Sequence, residues 1–140
     1  MTFWDTSGIV PLLIEQPESA AMRKLLEEDS ELVVWWGTPV ECWSAIARLR
    51  REDVIGLDDE AEVLARIERL REAWVEVLPS EELRRIAGRL LRVHPLRAAH
   101  ALQLAAALVW AGTPAGQRLV TYDERLARAA KLEGFQVLPL

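Results

Sequence analysis

The chain has 140 residues, of which 51% are hydrophobic and 28% charged, and its formal net charge is −5 at pH 7. This length and mixture are typical of one domain, residues 1–140, that buries a real core. The negative charge argues against the broad basic surface of a sequence-independent nucleic-acid coat. No window approaches the roughly 18 consecutive apolar residues of a membrane span, and Asp5 interrupts the first apolar run too early for a signal peptide. We therefore expect a cytoplasmic protein with no membrane segment.

The first predicted element is a short strand at residues 1–4. Asp5 follows it and is a candidate N-cap for a helix that begins near Ile9. Residues 17–29, which open with a proline and an acidic first turn, predict the next helix. We expect three residues of this helix to face the core: Ala21, Leu25 and Leu26.

Residues 31–36, "ELVVWW", form an uninterrupted β-prone apolar run, which is typical of a strand covered on both faces. We expect Trp35 and Trp36 to be buried on opposite faces of the sheet. Residues 38–51 predict a helix with one apolar stripe. The residues of that stripe are Val40, Trp43, Ile46 and Leu49.

Asp58 or Asp59 is the candidate N-cap of the following helix. Its apolar residues at helical spacing are Val63, Ile67, Leu70 and Trp74. Residues 74–79 then predict a strand, and Ser80 is the candidate N-cap of another helix. The predicted core face of that helix contains Leu83, Ile86, Ala87, Leu90 and Leu91.

Residues 94–112, "HPLRAAHALQLAAALVWAG", predict a strongly apolar central helix that ends at its final glycine. Residues 118–123 and 135–140 predict the last two strands, and between them residues 124–133 predict a helix that stops at Gly134. This alternation of about five strands with helices predicts a mostly parallel sheet with helices on both faces. The expected fold class is a three-layer α/β/α sandwich.

Three acidic residues follow three of the predicted strands: Asp5, Glu41 and Asp123. Ligands of open parallel sheets bind beyond the carboxyl ends of the strands, so we expect these acids to meet at one edge. Like charges that lie close together are unfavourable unless a cation joins them, and Mg²⁺ or Mn²⁺ prefers such oxygen ligands. Each acid taken alone also has a simpler interpretation, as a helix cap or as a favourable charge in a first turn.

Four segments in this order resemble a PIN domain, and specifically the VapC-type toxins of toxin–antitoxin pairs. The segments are "FWDTSGIVPLL", "PVECWSAIARL", "HPLRAAHALQLAAALVWAG" and "LVTYDERLARAAKLEGFQVL". The resemblance covers nearly the whole chain and is least distinctive at residues 52–80. It implies a Mg²⁺- or Mn²⁺-dependent endoribonuclease that forms a homodimer and is silenced by a cognate antitoxin protein.

The resemblance also implies roles for individual residues. Asp5, Glu41 and Asp123 take the places of the family's acids and are the candidate catalytic and metal-binding residues. The hydroxyl residues that accompany these acids, which are candidates for substrate binding, are Thr6, Ser7 and Thr121. Metal-activated water would then hydrolyse the phosphodiester of RNA.

His100 stands where the family carries another aspartate. A neutral imidazole at this position is a candidate ligand for Mn²⁺ or Zn²⁺ but suits Mg²⁺ less well. The other interpretation is a packed or half-exposed histidine without a metal role. The alternative function is accordingly a catalytically impaired PIN domain that binds an antitoxin or RNA.

Single-stranded or looped RNA is the expected substrate, because its exposed backbone can bend into a narrow acidic edge. Arginines near that edge must offset the repulsion between phosphates and an acidic protein. The candidates are Arg50, Arg51 and Arg97, and binding should weaken as salt rises.

The chain has six tryptophans, and large aromatic residues are enriched where proteins meet. Trp43, Trp74 and Trp110 are therefore candidate interface residues, with core packing as the alternative. Helix faces within residues 17–74 are the candidate groove for an antitoxin peptide.

The single cysteine, Cys42, cannot form an internal disulfide. Because the chain has only two histidines in addition to Cys42, it has too few soft ligands for a structural zinc site. We expect Cys42 to be a small buried hydrophobe and His94 to be a polar surface residue. A receiver or aspartate-nucleophile phosphatase is a third function class. It would need a second acid beside Asp5 or a late lysine outside the last helix, and Lys131 lies within that helix.

Overall fold

The computed structural model describes residues 1–139, and within them five strands alternate with seven helices. The strands are β1 (Thr2–Trp4), β2 (Leu32–Trp35), β3 (Val75–Val77), β4 (Arg118–Val120) and β5 (Gln136–Leu138). The helices are α1 (Thr6–Leu13), α2 (Ser19–Glu28), α3 (Thr38–Arg51), α4 (Leu57–Ala73), α5 (Glu81–Val93), α6 (Ala98–Ala111) and α7 (Glu124–Glu133). The predicted strands are present but shorter than their apolar runs, and the last residue of the run 135–140 lies outside the described residues.

The five strands form one parallel sheet in the order β3-β2-β1-β4-β5. In the centre, Phe3 of β1 pairs with Val33 of β2 on one side and with Leu119 of β4 on the other. Along the chain, β2 and β3 are added on one side of β1, and β4 and β5 are added later on its other side. Ligand sites of parallel sheets lie where the strand order reverses, which here is at the carboxyl end of β1.

Helices cover both faces of the sheet. Phe3 packs with apolar residues of α5, α6 and α7, whereas Trp4 packs with those of α1 to α4. Successive side chains of a strand point to opposite faces, so these two neighbours divide the core into two layers. The predicted three-layer α/β/α sandwich with five parallel strands is confirmed. None of the helices within residues 1–139 has the length and hydrophobicity that spanning a bilayer requires.

Polar caps set several helix ends. Ser80 accepts a hydrogen bond from the Leu83 amide at 3.1 Å, as predicted, and Gly134 ends α7 with φ +110°. The predicted cap of α4 at Asp58 or Asp59 is wrong. Gly56 is the N-cap, and its amide donates to the Asp59 carboxylate from one turn further along. A carboxylate at this third helical position can bond back to the cap, so an acidic pair does not by itself locate the first residue.

The α3 stripe is confirmed at two positions and wrong at two. Ile46 is buried and Leu49 half-buried, as predicted, whereas Val40 is 59% exposed and Trp43 38% exposed. Cys42, four residues before Ile46, completes the buried face instead, so this face is rotated from the predicted one. Trp36 is 52% exposed rather than buried, because β2 ends at Trp35.

Two other helices differ from their predicted core faces in one residue each. Ala21 is exposed on α2, and the larger Met22 beside it is fully buried while Leu25 and Leu26 are half-buried. Leu91 is exposed on α5, because Leu83, Ala87 and Leu90 already complete the buried stripe. The buried position of Cys42 is confirmed.

His94 is buried, which contradicts its prediction as a surface residue. Its Nε2 lies 2.8 Å from Oε2 of Glu133, and Arg89 binds the same carboxylate through both terminal nitrogens, at 2.7 and 3.2 Å. We call these three side chains the α5–α7 clamp, since they join the end of α5 to the end of α7. A buried polar ring needs such a partner, but the partner lies 39 residues away in the sequence.

Candidate active site

Asp5 lies at the carboxyl end of β1, and the sheet holds it in place. Its amide donates to the carbonyl of Val120 at 2.9 Å, which continues the pairing of β1 with β4. Its side chain is buried and caps α1 by accepting a hydrogen bond from the Ser7 amide. The N-cap interpretation of Asp5 is therefore correct, and it is compatible with a second role for the carboxylate.

Two hydroxyl groups fix the orientation of the Asp5 carboxylate. Ser7 Oγ and Thr121 Oγ1 donate to Oδ2 of Asp5 at 2.7 and 2.9 Å. The amides of Tyr122 and Asp123 donate to these hydroxyls in turn, at 2.8 and 3.0 Å. Each hydroxyl thus accepts one hydrogen bond from a backbone amide and donates one to the Asp5 carboxylate. Within residues 1–139 no hydrogen bond reaches Oδ1 of Asp5, so this oxygen is available to a ligand.

Glu41 lies in the first turn of α3 and is half-buried. Thr6 Oγ1 donates to its Oε1 at 3.2 Å, and Gln103 Nε2 donates to its Oε2 at 3.0 Å. Burial raises the pKa of Glu41 above its usual range, and the charge of nearby Asp5 raises it further. The hydrogen bonds from Gln103 and Thr6 oppose this rise. Glu41 and Asp5 therefore form a close pair of like charges.

Gln103 is the polar residue of this site that the sequence analysis missed. It is fully buried on α6, and its Nε2 also lies 3.2 Å from Thr6 Oγ1 and from Thr38 Oγ1. Since α6 belongs to one helical layer and α1 and α3 to the other, this amide joins the layers beside the sheet edge. The available signal was a lone glutamine in the apolar sequence "HALQLAAALVW", three residues after His100 and hence on the same helix face.

Asp123 and His100 form a second pair of polar residues at the site. Asp123 caps α7 by accepting a hydrogen bond from the Leu126 amide at 2.8 Å. Nδ1 of His100 lies 3.7 Å from Oδ1 of Asp123, and both side chains are about one-third exposed. His100 thus faces an acid of the site.

One open cavity of about 620 Å³ collects most of these residues. Its wall contains all the predicted acids and His100, together with Thr6 and Ser7, while Thr121 lies behind Asp5. Within residues 1–139 no three His, Cys, Asp or Glu side chains approach closely enough to form a ready-made metal cage. The structure therefore brings Asp5 and Glu41 together as a pair and places Asp123 on the same cavity.

None of the three predicted arginines lines this cavity. A second cavity adjoins this one and shares His100, Tyr122 and Asp123 with it. Arg50 forms an ion pair with Glu60, and Arg51 lines neither cavity. Arg97 lines the neighbouring cavity. Arg48 lines the acidic cavity instead, and its spacing of seven residues from Glu41 on α3 was the signal that could have found it.

A comparison with protein families gives one match, in which the sequence profile of the PIN domain covers residues 2–132. The chain belongs to the PIN domain family. This membership confirms the resemblance found in the four sequence segments. Among curated protein sequences, none matches this PIN domain significantly.

Solved structures with the same fold include three microbial proteins. FitAcB from Neisseria gonorrhoeae has a TM-score of 0.70 and 17% identity, with 99% of this PIN domain and 97% of that chain covered. A toxin–antitoxin complex from Klebsiella pneumoniae has a TM-score of 0.65, 15% identity and 91% coverage of both chains. PAE2754 from Pyrobaculum aerophilum has a TM-score of 0.64 and 21% identity, covering 98% of this chain and 88% of its own. At these identities the likeness establishes the fold.

Proposed function

We propose that this PIN domain is a Mg²⁺- or Mn²⁺-dependent endoribonuclease and the toxin of a VapBC-type toxin–antitoxin pair. The observation that carries the proposal is the pair of carboxylates, Asp5 and Glu41, held on one cavity by donors from α1, from α6 and from the residues just after β4. Family membership supports a nuclease. A fold that merely needed a capped α1 would not need a second, half-buried acid beside the cap.

The donors at the cavity fit a hard divalent cation. Mg²⁺ and Mn²⁺ prefer oxygen ligands, and Mg²⁺ keeps several waters while one or two carboxylates hold it. Asp5 and Glu41 would hold the ion, with Asp123 acting directly or through water. When bound, the ion supplies an activated water and neutralises charge on the scissile phosphate.

Hydrogen bonds from neighbouring residues fix the orientation of these two carboxylates. Ser7 and Thr121 keep Oδ2 of Asp5 occupied and so leave Oδ1 for a ligand. Thr6 and Gln103 hold the two oxygens of Glu41. Arg48 offsets the repulsion between the acidic cavity and a phosphate. The open cavity suits single-stranded or looped RNA, whose backbone is free to bend.

The direct test is cleavage of a fluorescently labelled single-stranded RNA in Mn²⁺ and in Mg²⁺. Asp5→Asn keeps an oxygen for Ser7 and Thr121 but removes the charge, so cleavage should fall at least about 100-fold, because metal assistance supplies several kcal/mol. Asp58→Asn, an exposed change on α4, is the matched control and should leave the rate unchanged. Cleavage by Asp5→Asn at the wild-type rate, or no cleavage by the wild type, would contradict the proposal.

The alternative function, a catalytically impaired PIN domain that binds an antitoxin or RNA, is favoured by one observation. His100 adds an imidazole to the cavity where the family has an acid. We expect His100→Asp to raise Mg²⁺-dependent cleavage about tenfold or more, because another carboxylate improves a Mg²⁺ site. His100→Asn is the neutral control. A wild type that cuts nothing while His100→Asp cuts RNA would establish the impaired form, and equal rates would show that this position is irrelevant.

The proposed partners are a second copy of this chain and an antitoxin protein in the cytoplasm. Exposed aromatic residues at Trp36 and Trp43 support a homodimer, whereas Trp74 is buried and Trp110 half-buried. For the antitoxin, a cavity of about 310 Å³ between α1, α2 and α4 contains Arg23 and Arg66 and overlaps the helix faces expected to bind a peptide.

A further inference from the structure

A second open cavity, of about 470 Å³, adjoins the acidic cavity. The two share one wall, which consists of His100, Tyr122 and Asp123. Beyond that wall the second cavity is lined by Arg97, Glu124 and Arg125. A ligand in the acidic cavity can therefore continue into the second one without leaving the protein surface.

Two arginines, Arg97 and Arg125, supply the positive charge of the second cavity. Within residues 1–139 neither Arg97 nor Arg125 forms an ion pair, whereas Arg89 and Arg118 do. Arg97 is the N-cap of α6, and Arg125 lies in the first turn of α7. The positive end of a helix dipole disfavours a cation, so both positions are poor choices for helix stability alone. The N-terminus of α6 has no side-chain cap and favours an anion in this cavity, whereas Asp123 already caps α7.

Tyr122 provides an aromatic surface at the junction of the two cavities. Its side chain is 38% exposed, and its amide is anchored to Ser7 Oγ at 2.8 Å. It lines both cavities, so a flat ring on it would lie between the acids and the arginines. Aromatic side chains in such positions stack unpaired bases of single-stranded nucleic acids.

We propose that the second cavity binds the nucleotide next to the scissile phosphate of single-stranded RNA. Arg97 and Arg125 bind its phosphate, and Tyr122 stacks its base. The inference rests on the proposed nuclease function, since that function places the scissile phosphate at Asp5 and Glu41. A polynucleotide carries its next phosphate and base along the same backbone, which matches the order of acids, aromatic ring and arginines. An acidic peptide has carboxylates for the arginines but no base for Tyr122.

Binding without cleavage tests the subsite directly. Fluorescence anisotropy of a labelled single-stranded RNA is measured over a range of salt concentrations in EDTA, and again in Mg²⁺. Each phosphate contact on a single strand contributes about 0.7 to the slope of log K against log salt. Because both arginines bind one phosphate, Arg97→Ala combined with Arg125→Ala should lower the slope by about that amount, and each single variant by part of it. Arg128→Ala, exposed one turn further along α7, is the matched control and should leave affinity and slope unchanged.

Two further variants separate the subsite from general damage to the fold. Tyr122→Ala should weaken binding about tenfold with little change of slope, and Tyr122→Phe should restore it. Glu124→Gln removes the exposed acid of the cavity and should tighten binding, which no loss of structure would do. Wild-type affinity and slope in both arginine variants would overturn the inference. A glutamate-rich peptide that depends on these arginines while RNA does not would also overturn it.

The cleavage assay distinguishes this inference from the nuclease proposal. If the wild type binds RNA through Arg97 and Arg125 in EDTA but cuts nothing in Mn²⁺, the nuclease proposal fails and the subsite stands. If the wild type cuts RNA and both arginine variants bind it normally, the subsite fails and the nuclease proposal stands.

Discussion

Glu41 carries its charge in a half-buried position next to a second carboxylate. Its raised pKa means that the folded protein holds the Glu41 proton more tightly than the unfolded chain does. The contribution of this group to stability is therefore fully present below the unfolded pKa of about 4.3 and is lost as the pH rises through the higher folded value. At neutral pH without metal, the ionised side chain makes the fold less stable.

We therefore expect Glu41→Gln to raise the thermal midpoint by a few degrees at pH 7–8 in EDTA, and the gain to vanish below about pH 4. The measurement is differential scanning fluorimetry from pH 4 to pH 8, and Glu28→Gln, at an exposed position of α2, is the control. A lower midpoint for Glu41→Gln at pH 7 would show that its hydrogen bonds with Thr6 and Gln103 outweigh the charge repulsion.

The sequence could locate the acids because each follows an apolar run that is recognisable as a strand. Gln103 is visible in the sequence as a lone polar residue of an apolar helix. Its role is not, because that role depends on three hydrogen-bond partners that only the fold brings together. Charge and expected closeness to the acidic edge predict Arg50 and Arg51 as phosphate-binding residues, yet Arg50 forms an ion pair with Glu60. The position of a charge in the sequence gives no information about an ion pair with a neighbouring helix.

At the scale of elements, the α5–α7 clamp joins two helices that cover the same sheet face. Hydrogen bonds from Arg89 first, and from His94 next, hold the pKa of Glu133 below its usual range. For an acid with a lowered pKa, the stabilisation is present above the unfolded pKa and is lost as the pH falls through the folded value.

Glu133→Gln should therefore destabilise the protein by about 1–3 kcal/mol at pH 7, because hydrogen bonds between charged groups are lost. The difference from the wild type should shrink as the pH falls below about 4. Urea unfolding at pH 7 and at low pH measures both quantities. Glu81→Gln breaks an ion pair with Arg84 that is largely exposed, and it should have little effect at either pH.

Element prediction succeeded where one physical signal dominated. The apolar runs give the strands, and the alternation of strands and helices gives the parallel layers. On α3 the predicted core face is right at Ile46 and wrong at Trp43, because the smaller neighbour Cys42 packs inward in its place. A rule that buries the larger apolar residue chooses correctly on α2, where Met22 is buried, and wrongly on α3. Only the space left by the neighbouring helices decides between them.

At the scale of the whole molecule, Val40 and Trp43 form an exposed apolar pair on α3, three residues apart and hence on one face. If this face supports the proposed homodimer, Val40→Ser combined with Trp43→Ser should convert dimers to monomers with less than about 1 kcal/mol lost from each folded subunit. Analytical ultracentrifugation measures the mass, and Leu132→Ser, at an exposed position of α7, is the control. A dimer that survives both changes would exclude this face.

Cys42 sits next to Glu41 in α3, fully enclosed, and burial raises the pKa of its thiol to about 12. A buried thiol that stays protonated is neither nucleophilic nor accessible, so alkylating reagents react with it only when α3 separates from the residues that cover Cys42. The alkylation rate of the Cys42 thiol therefore reports how often α3, the helix that carries Glu41, opens. A cation held tightly by Glu41 should lower this rate.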